Sequence, residues 1–282
     1  MILVIGATGT IGSATVKALK DKGAHFKVGA RSPDKLKGQG MEVVAFDWDK
    51  PETYAPALKG VEKVFLLPPT TENQVEQTKA LVDAAKKAGV KHIVKLSVMG
   101  ADAEPGLILG SKHREGEKAI KESGMAWTML RPTFFMDNFL NFYGVDPKKD
   151  STVYGAWGDG KACWVDAQDL GEVAAAALTD KKHENKVYDL SGPEPLGGAE
   201  ALDILSKAFG HKYTYVPVPE EAARKGMQDM HMPPWLVEGF VELAMIIRNN
   251  WAATPASGVK DVLGRPARSF KEYAMAAAAK RS

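Results

Sequence analysis

A doubly wound α/β fold, with a parallel sheet covered by helices on both faces, is predicted by three features of this sequence. Short apolar runs alternate with helix-period segments through the first 130 residues. The connections between successive runs are too long for hairpins, which makes the strands parallel. A glycine cluster, residues 6–12, separates the first apolar run from the first helical segment. A smaller, mostly helical C-terminal portion is expected to follow.

The elements read in order as follows. Residues 2–5, Ile-Leu-Val-Ile, form the first strand and end at Gly6. Glycines interrupt this apolar start at once and no basic segment precedes it, so it reads as a buried strand and not as a signal peptide. Ile11, Ala14, Thr15, Ala18 and Leu19 recur at helical spacing, with Gly23 as the stop. Strands are predicted at 26–30, 41–46 and 63–67, the last ended by Pro68 and Pro69. Val75, Thr78, Val82 and Ala85 share one helix face before Gly89, and 92–97 is the fifth strand. A helix is expected over 111–123, with Gly124 beyond it, and the sixth strand, 126–130, is closed by Arg131-Pro132. Beyond it come a helix at 170–178, a strand at 186–190, a helix at 198–209 and an alternating strand at 213–218. A long apolar helix at 234–251 and a C-terminal helix at 269–280 complete the pattern.

Composition excludes several classes. Lys and Arg number 37 against 35 Asp and Glu, a formal net charge of +2 with no long basic block, which gives no footprint for nucleic acid or a membrane surface. No apolar run approaches the ~20 residues needed to cross a bilayer. Cys163 is the single cysteine, so no intrachain disulfide forms and no metal site is expected; a cytoplasmic setting fits. A homodimer is left open.

The segment Gly6-Ala7-Thr8-Gly9-Thr10-Ile11-Gly12 follows a strand and opens a helix. In that context the first glycine permits the tight turn, the second lets backbone approach a pyrophosphate, and the third lets the helix pack on the strand. Backbone N–H groups of Thr8 to Gly12 then face the phosphates. The second strand ends Val28-Gly29-Ala30-Arg31, with Lys35 following and no acidic residue at its tip. A ribose 2′-OH is usually held there by Asp or Glu; a guanidinium clamps a 2′-phosphate instead. NADPH is therefore the expected cofactor, with NADH bound more weakly, although Arg31 also reads as a solvated loop charge. Asp47 is placed to accept from the adenine amino group or to cap a turn, Trp48 or Pro68 to wall the ring, and Leu67 is a further cofactor-binding candidate. The binding domain is expected over 1–152, with 163–190 returning to it. A substrate portion is expected over 191–282, with 133–162 contributing.

At this point the sequence resembles the NmrA-like atypical short-chain dehydrogenases/reductases, over essentially the whole chain. The resemblance rests on the glycine loop, residues 30–35 (Ala-Arg-Ser-Pro-Asp-Lys), 88–92 (Ala-Gly-Val-Lys-His) and 96–102 (Leu-Ser-Val-Met-Gly-Ala-Asp). It rests also on 130–138 (Leu-Arg-Pro-Thr-Phe-Phe-Met-Asp-Asn), 158–161 (Gly-Asp-Gly-Lys) and 264–270 (Gly-Arg-Pro-Ala-Arg-Ser-Phe). It implies a Rossmann domain with an added substrate portion. The nicotinamide would lie near the ends of the fifth and sixth strands, beside Ser97, Pro132 and Phe134.

Most short-chain dehydrogenases carry a Tyr-x-x-x-Lys pair on the helix after the fifth strand. Here that stretch reads Leu109-Gly110-Ser111-Lys112-His113, with Leu109 in the tyrosine place and His113 in the lysine place. A one-residue shift puts Ile108 and Lys112 there, again without a proton donor at the first position. His113 is thus the candidate catalytic residue, either holding the nicotinamide ribose or protonating a forming oxyanion. Glu117, one turn on, is placed to orient it. Its competing reading is a packing histidine. Ser97 falls near the family's catalytic serine, or is a strand-end hydroxyl satisfied by backbone.

Met99, Phe135, Asn138, Phe139, Trp157 and Trp164 are expected to line a site for a flat aromatic substrate, with Lys161 as a polar neighbour. Any one of the aromatics is also ordinary core. The predicted function is an NADPH-dependent reductase of quinones, triphenylmethane dyes or related electrophilic aromatics. A dinucleotide-sensing regulator without turnover is the alternative. So is a C=C or C=N reductase of a biosynthetic pathway, as in relatives acting on isoflavones or alkaloid iminium ions.

Overall fold

The computed structural model describes every residue except Lys37, Gln39 and Ser282. The first half runs β1 (Ile2–Ile5), α1 (Thr10–Asp21), β2 (Phe26–Ala30), β3 (Glu42–Ala45), α2 (Tyr54–Leu58) and β4 (Lys63–Leu66). It continues with α3 (Gln74–Lys87), β5 (His92–Leu96), α4 (Ile108–Glu122) and β6 (Ala126–Pro132). After α5 (Asn138–Asn141) come β7 (Ser151–Gly155), β8 (Lys161–Ala162), α6 (Ala167–Thr179), β9 (Lys186–Leu190) and β10 (Leu196–Gly197). The chain ends with α7 (Gly198–Phe209), β11 (Tyr213–Pro217), α8 (Glu220–Asp229), α9 (Pro234–Arg248), α10 (Gly258–Leu263) and α11 (Phe270–Ala279).

Seven strands make one parallel sheet in the order β3-β2-β1-β4-β5-β6-β9. The order reverses between β1 and β4, the switch point at which a crevice opens beyond the carboxyl ends of the strands. The fold is the predicted Rossmann-like α/β sheet. Its central strands are apolar on both faces because helices cover both. Val4, Val94 and Leu130 face one layer with α1 and α6, while Leu3, Ile5, Ile93 and Met129 face the other with α2, α3 and α4.

Close backbone approach fixes two crossings. A Cβ on Gly12 would stand 2.0 Å from the Gly6 carbonyl oxygen, so α1 packs on the β1 turn only with glycine there. Gly6 itself holds φ at +77°, a left-handed value that disfavours any side chain. On the same layer a Cβ on Gly171 would stand 2.5 Å from Ala14, and the alanine-rich α6 lies directly against α1.

The remaining chain builds a third core around Phe139, Trp157, Trp164, Leu202 and Phe270. The two ribbons in this part, parallel β7–β11 and antiparallel β8–β10, join segments far apart in sequence. The C-terminal stretch is tied back to the sheet layer where Arg265 and Arg268 pair with Asp169 and Glu172 of α6. The apolar helix expected over 234–251 stops at Arg248 because Asn250 turns to φ +59°. The helix expected to start at 111 starts at Ile108, whose N–H donates to Glu242 Oε2 of α9 at 2.6 Å. That carboxylate caps the helix and complements its N-terminal partial charge.

Candidate functional site

The site is built at the carboxyl ends of β1, β2, β5 and β6. Gly9 is the N-cap of α1, with extended backbone and no side chain capping the helix start. Thr8, Gly9 and Thr10 are exposed, while Ile11 and Gly12 are buried beneath them. A Cβ on Gly9 would meet only the Gly6 carbonyl oxygen, at 3.4 Å, and otherwise enter open space. Gly12 thus serves packing, and Gly9 keeps a cradle open in front of uncapped N–H groups. A dinucleotide pyrophosphate fits that arrangement. Leu67 lies against Gly6, and Asn141 of α5 reaches Thr10 Oγ1 at 3.3 Å, which brings α5 alongside the loop.

Arg31 is exposed just beyond β2, and Lys35 is exposed in the short 3-10 turn Pro33–Leu36. Asp47 Oδ1 accepts the Asp49 N–H at 3.1 Å, so this carboxylate does cap a turn. Trp48 is half-buried and packs edge-on against Phe46, with ring centroids 5.2 Å apart. Pro68 is buried.

The polar centre lies between β5 and α4. Leu109 projects onto α9, where its side chain meets Gly239. Lys112 turns outward to the Glu72 carbonyl and lies 5.0 Å over the Trp235 ring. His113, one residue on, turns inward to β5, so the one-residue shift does not bring Lys112 into the site. His113 Nδ1 lies 2.9 Å from Lys95 Nζ. Nε2 makes no hydrogen bond among the described residues, and the residue is half-buried. Burial and the neighbouring Lys95 charge hold this imidazole well below the usual histidine range, so it is neutral at pH 7.

Glu117 does not orient His113 as expected. Both its oxygens are taken by Arg131, at 2.9 Å from Nε and 2.7 Å from Nη2. Ser97 Oγ donates to Oε1 at 2.6 Å. Burial raises the Glu117 pKa, but these hydrogen bonds outweigh it and hold the carboxyl at about 2. Asp102 completes the cluster at 2.7 Å from Arg131 Nη1. Ser97 is 1% exposed with its proton committed to a carboxylate, which corrects its expected catalytic role. The backbone beyond β5 is nonetheless held in the site, since Met99 N–H donates to the Pro132 carbonyl at 2.9 Å.

The aromatic set divides. Phe139 is 0% and Trp164 1% exposed, packed edge to face with centroids 4.9 Å apart. Trp157 is buried and stacks on Tyr215. These three are core, and their expected substrate role is withdrawn because no face is offered to a ligand. Lys161 pairs with Glu200 at 2.7 Å in an exposed ion pair. Met99, Phe134, Phe135 and Asn138 are half-buried.

A model of the NmrA-like family matches residues 1–260. The chain belongs to the NmrA-like family. It is 40% identical over 282 residues to the NAD(P)H azoreductase of Xenophilus azovorans, covering 99% of this chain and 98% of that protein. Among solved structures it resembles the NADPH-dependent quinone oxidoreductase of Escherichia coli complexed with NADPH. The TM-score is 0.83 at 26% identity, over 98% of this chain and 99% of the other. The triphenylmethane reductase of Citrobacter sp. superposes with a TM-score of 0.82 at 28% identity, over 99% of both chains.

The site of this NmrA-like protein contains two residues that the sequence reading passed over, Lys95 and Arg131. Each had a visible signal. Lys95 interrupts the apolar run Ile93-Val94-Lys95-Leu96 in a strand covered on both faces, where a charge is anomalous. Arg131 closes the sixth strand at the carboxyl end where the site lies, and its ion pair with Asp102 ties that end to the segment beyond β5.

Proposed function

We propose that this NmrA-like chain is an NADPH-dependent reductase of electrophilic aromatic acceptors, among them quinones, azo compounds and cationic triphenylmethane dyes. The carrying observation is the combination at α4. Leu109, read in the place of the usual tyrosine, packs on α9, and one turn on His113 holds Lys95 through Nδ1 and makes no hydrogen bond through Nε2 among the described residues. Bound NADPH supplies a hydride equivalent at the ends of β5 and β6. The chain's own residues bind and orient. Backbone N–H groups around Gly9 hold the pyrophosphate, and the Arg31 guanidinium with Lys35 clamps the 2′-phosphate. Pro132 and Phe134 back the nicotinamide, and Met99, Phe135 and Asn138 wall the acceptor.

Without a tyrosine, acceptors that need strong acid catalysis are poor. A cationic dye becomes neutral on reduction and needs no proton. A quinone or azo group gains one negative charge, and His113 Nε2–H is placed to meet it. Simple ketones are therefore expected to react slowly.

The test follows NADPH absorbance with a panel of dyes, quinones, azo compounds and unactivated ketones. Fast turnover of the first three and at most slow turnover of the last is expected; fast ketone reduction, or no turnover with any acceptor, contradicts the reading. Gly9→Val gives an independent check. The position tolerates a Cβ in the protein itself, so the variant folds, but the added bulk occupies the pyrophosphate cradle and abolishes NADPH binding by calorimetry.

A further inference from the structure

Lys95 stands in β5 with none of its surface exposed. Its stem lies between Thr78 of α3 and Gly116 of α4, where a Cβ on Gly116 would stand 3.1 Å from Lys95 Cε. Nζ reaches two acceptors, the Leu96 carbonyl at 3.2 Å and His113 Nδ1 at 2.9 Å. Among the described residues no carboxylate lies within ion-pair distance of it. A buried ammonium without a carboxylate costs stability, and a methionine of similar volume would not. A residue kept at such cost beside the site calls for a functional reason.

An ammonium can only donate. Its contact with Nδ1 therefore makes Nδ1 the acceptor and leaves the imidazole proton on Nε2, the nitrogen that makes no hydrogen bond among the described residues. We propose that Lys95 is a positioning residue for His113. It locks the ring in the Nε2–H tautomer and refills it through Nδ1 when Nε2–H is spent on a reduced quinone or azo group. This inference rests on the reductase reading above.

The step balances. After the acceptor has taken the hydride equivalent, one negative charge remains on its oxygen or nitrogen. The Nε2–H bond breaks as the new O–H or N–H bond forms, and an N–H bond of Lys95 breaks as Nδ1–H forms. Lys95 is left as a neutral amine and His113 as the neutral Nδ1–H tautomer. No imidazolate forms, and one proton from solvent restores the pair.

The ionisable groups facing Lys95 are His113 and Glu117 from α4 and Arg131 from β6. α3 presents Thr78, and the strand neighbours in register are Leu66 of β4 and Met129 of β6. Burial pushes the amine down to about 7, with Glu117 opposing and Arg131 adding to the fall. The ammonium is thus present below about pH 7 and lost above it, and proton-demanding turnover should fall along the same limb.

The experiment uses the full chain labelled with 15N-histidine. Without cofactor at pH 6, His113 is expected to show a protonated Nε2 and an unprotonated Nδ1; Lys95→Met loses this preference and Lys95→Arg keeps it. A protonated Nδ1 in the native chain overturns the proposal. Lys95→Met is also expected to melt at a higher temperature than the native chain, which certifies its fold. With NADPH, Lys95→Met should slow quinone reduction about 100-fold, the scale of one lost donor to a developing oxyanion, and slow a cationic dye far less. The fall in quinone turnover above pH 7 should vanish in the variant. Equal losses on both acceptors, or a surviving alkaline limb, assign Lys95 to structure alone. If the native chain turns over no acceptor, the reductase reading fails, while the tautomer spectrum still decides the role of Lys95.

Discussion

Two polar clusters lie one turn apart on α4, and they differ in how their charge is balanced. At Glu117 an anion meets Arg131 in a two-toothed pair, with Ser97 and Asp102 filling further positions. At His113 two nitrogen bases face each other with no carboxylate between them. Burial acts on both, with opposite results. It is overcome at Glu117, whose carboxyl stays ionised down to about pH 2, and it prevails at Lys95, which falls to about 7. A compensated cluster keeps its protons fixed and holds β5, β6 and α4 together. An uncompensated one has protons that move near neutral pH, which a reductase can use.

The first way to break this comparison is to remove the compensation. Glu117→Gln leaves the buried Arg131 without its main partner, and about 3–5 kcal/mol of stability should be lost, read by denaturant unfolding. A loss below 1 kcal/mol would make the cluster ornamental. Acid titration sharpens the same point. The Glu117 pKa is depressed in the folded state, from 4.5 to about 2. Its stabilisation is present above pH 4.5 and lost as pH falls through about 2, some ~3 kcal/mol for a shift of this size. The Glu117→Gln chain should lack that share of the acid dependence.

These clusters also mark where sequence reading succeeds and where it stops. The glycine loop was legible because Gly6, Gly9 and Gly12 each answer a separate steric demand, and those demands reappear as a left-handed φ, an open cradle and a 2.0 Å approach. Strands β1 and β4 were legible because burial on both faces writes most of their length as apolar runs, Ile2–Ile5 and residues 64–66. Of the β7–β11 ribbon only the second strand was read, at 213–218; Ser151–Gly155 was not, since it finds its partner some sixty residues later. Helix α8 was missed because none of its residues is buried, so no apolar stripe marks it. Phe139 and Trp164 misled because an aromatic reads the same in a core as in a site. Glu117 was placed correctly one turn from His113, but helical spacing said nothing of Arg131 arriving from β6 to claim it.

Smaller effects are expected outside the two clusters. Arg31→Ala should weaken NADPH by about 2–3 kcal/mol, the scale of a lost hydrogen bond to a charged group, and leave NADH nearly unaffected. Equal weakening of both cofactors by titration would remove the phosphate clamp. Lys161→Ala breaks an exposed pair with Glu200, and a change below about 1 kcal/mol in unfolding free energy is expected. A larger change would mean that exposure is a poor guide to which ion pairs matter in this chain.

The most direct measurement compares His113→Ala with the native chain on two acceptors, a quinone and a cationic triphenylmethane dye, at saturating NADPH. If His113 meets a developing negative charge, kcat for the quinone should fall about 100-fold, while the dye, which needs no proton, loses only what looser cofactor placement takes. An equal, small loss on both acceptors, with the pH profile unchanged, would contradict the account and leave His113 as a packing residue.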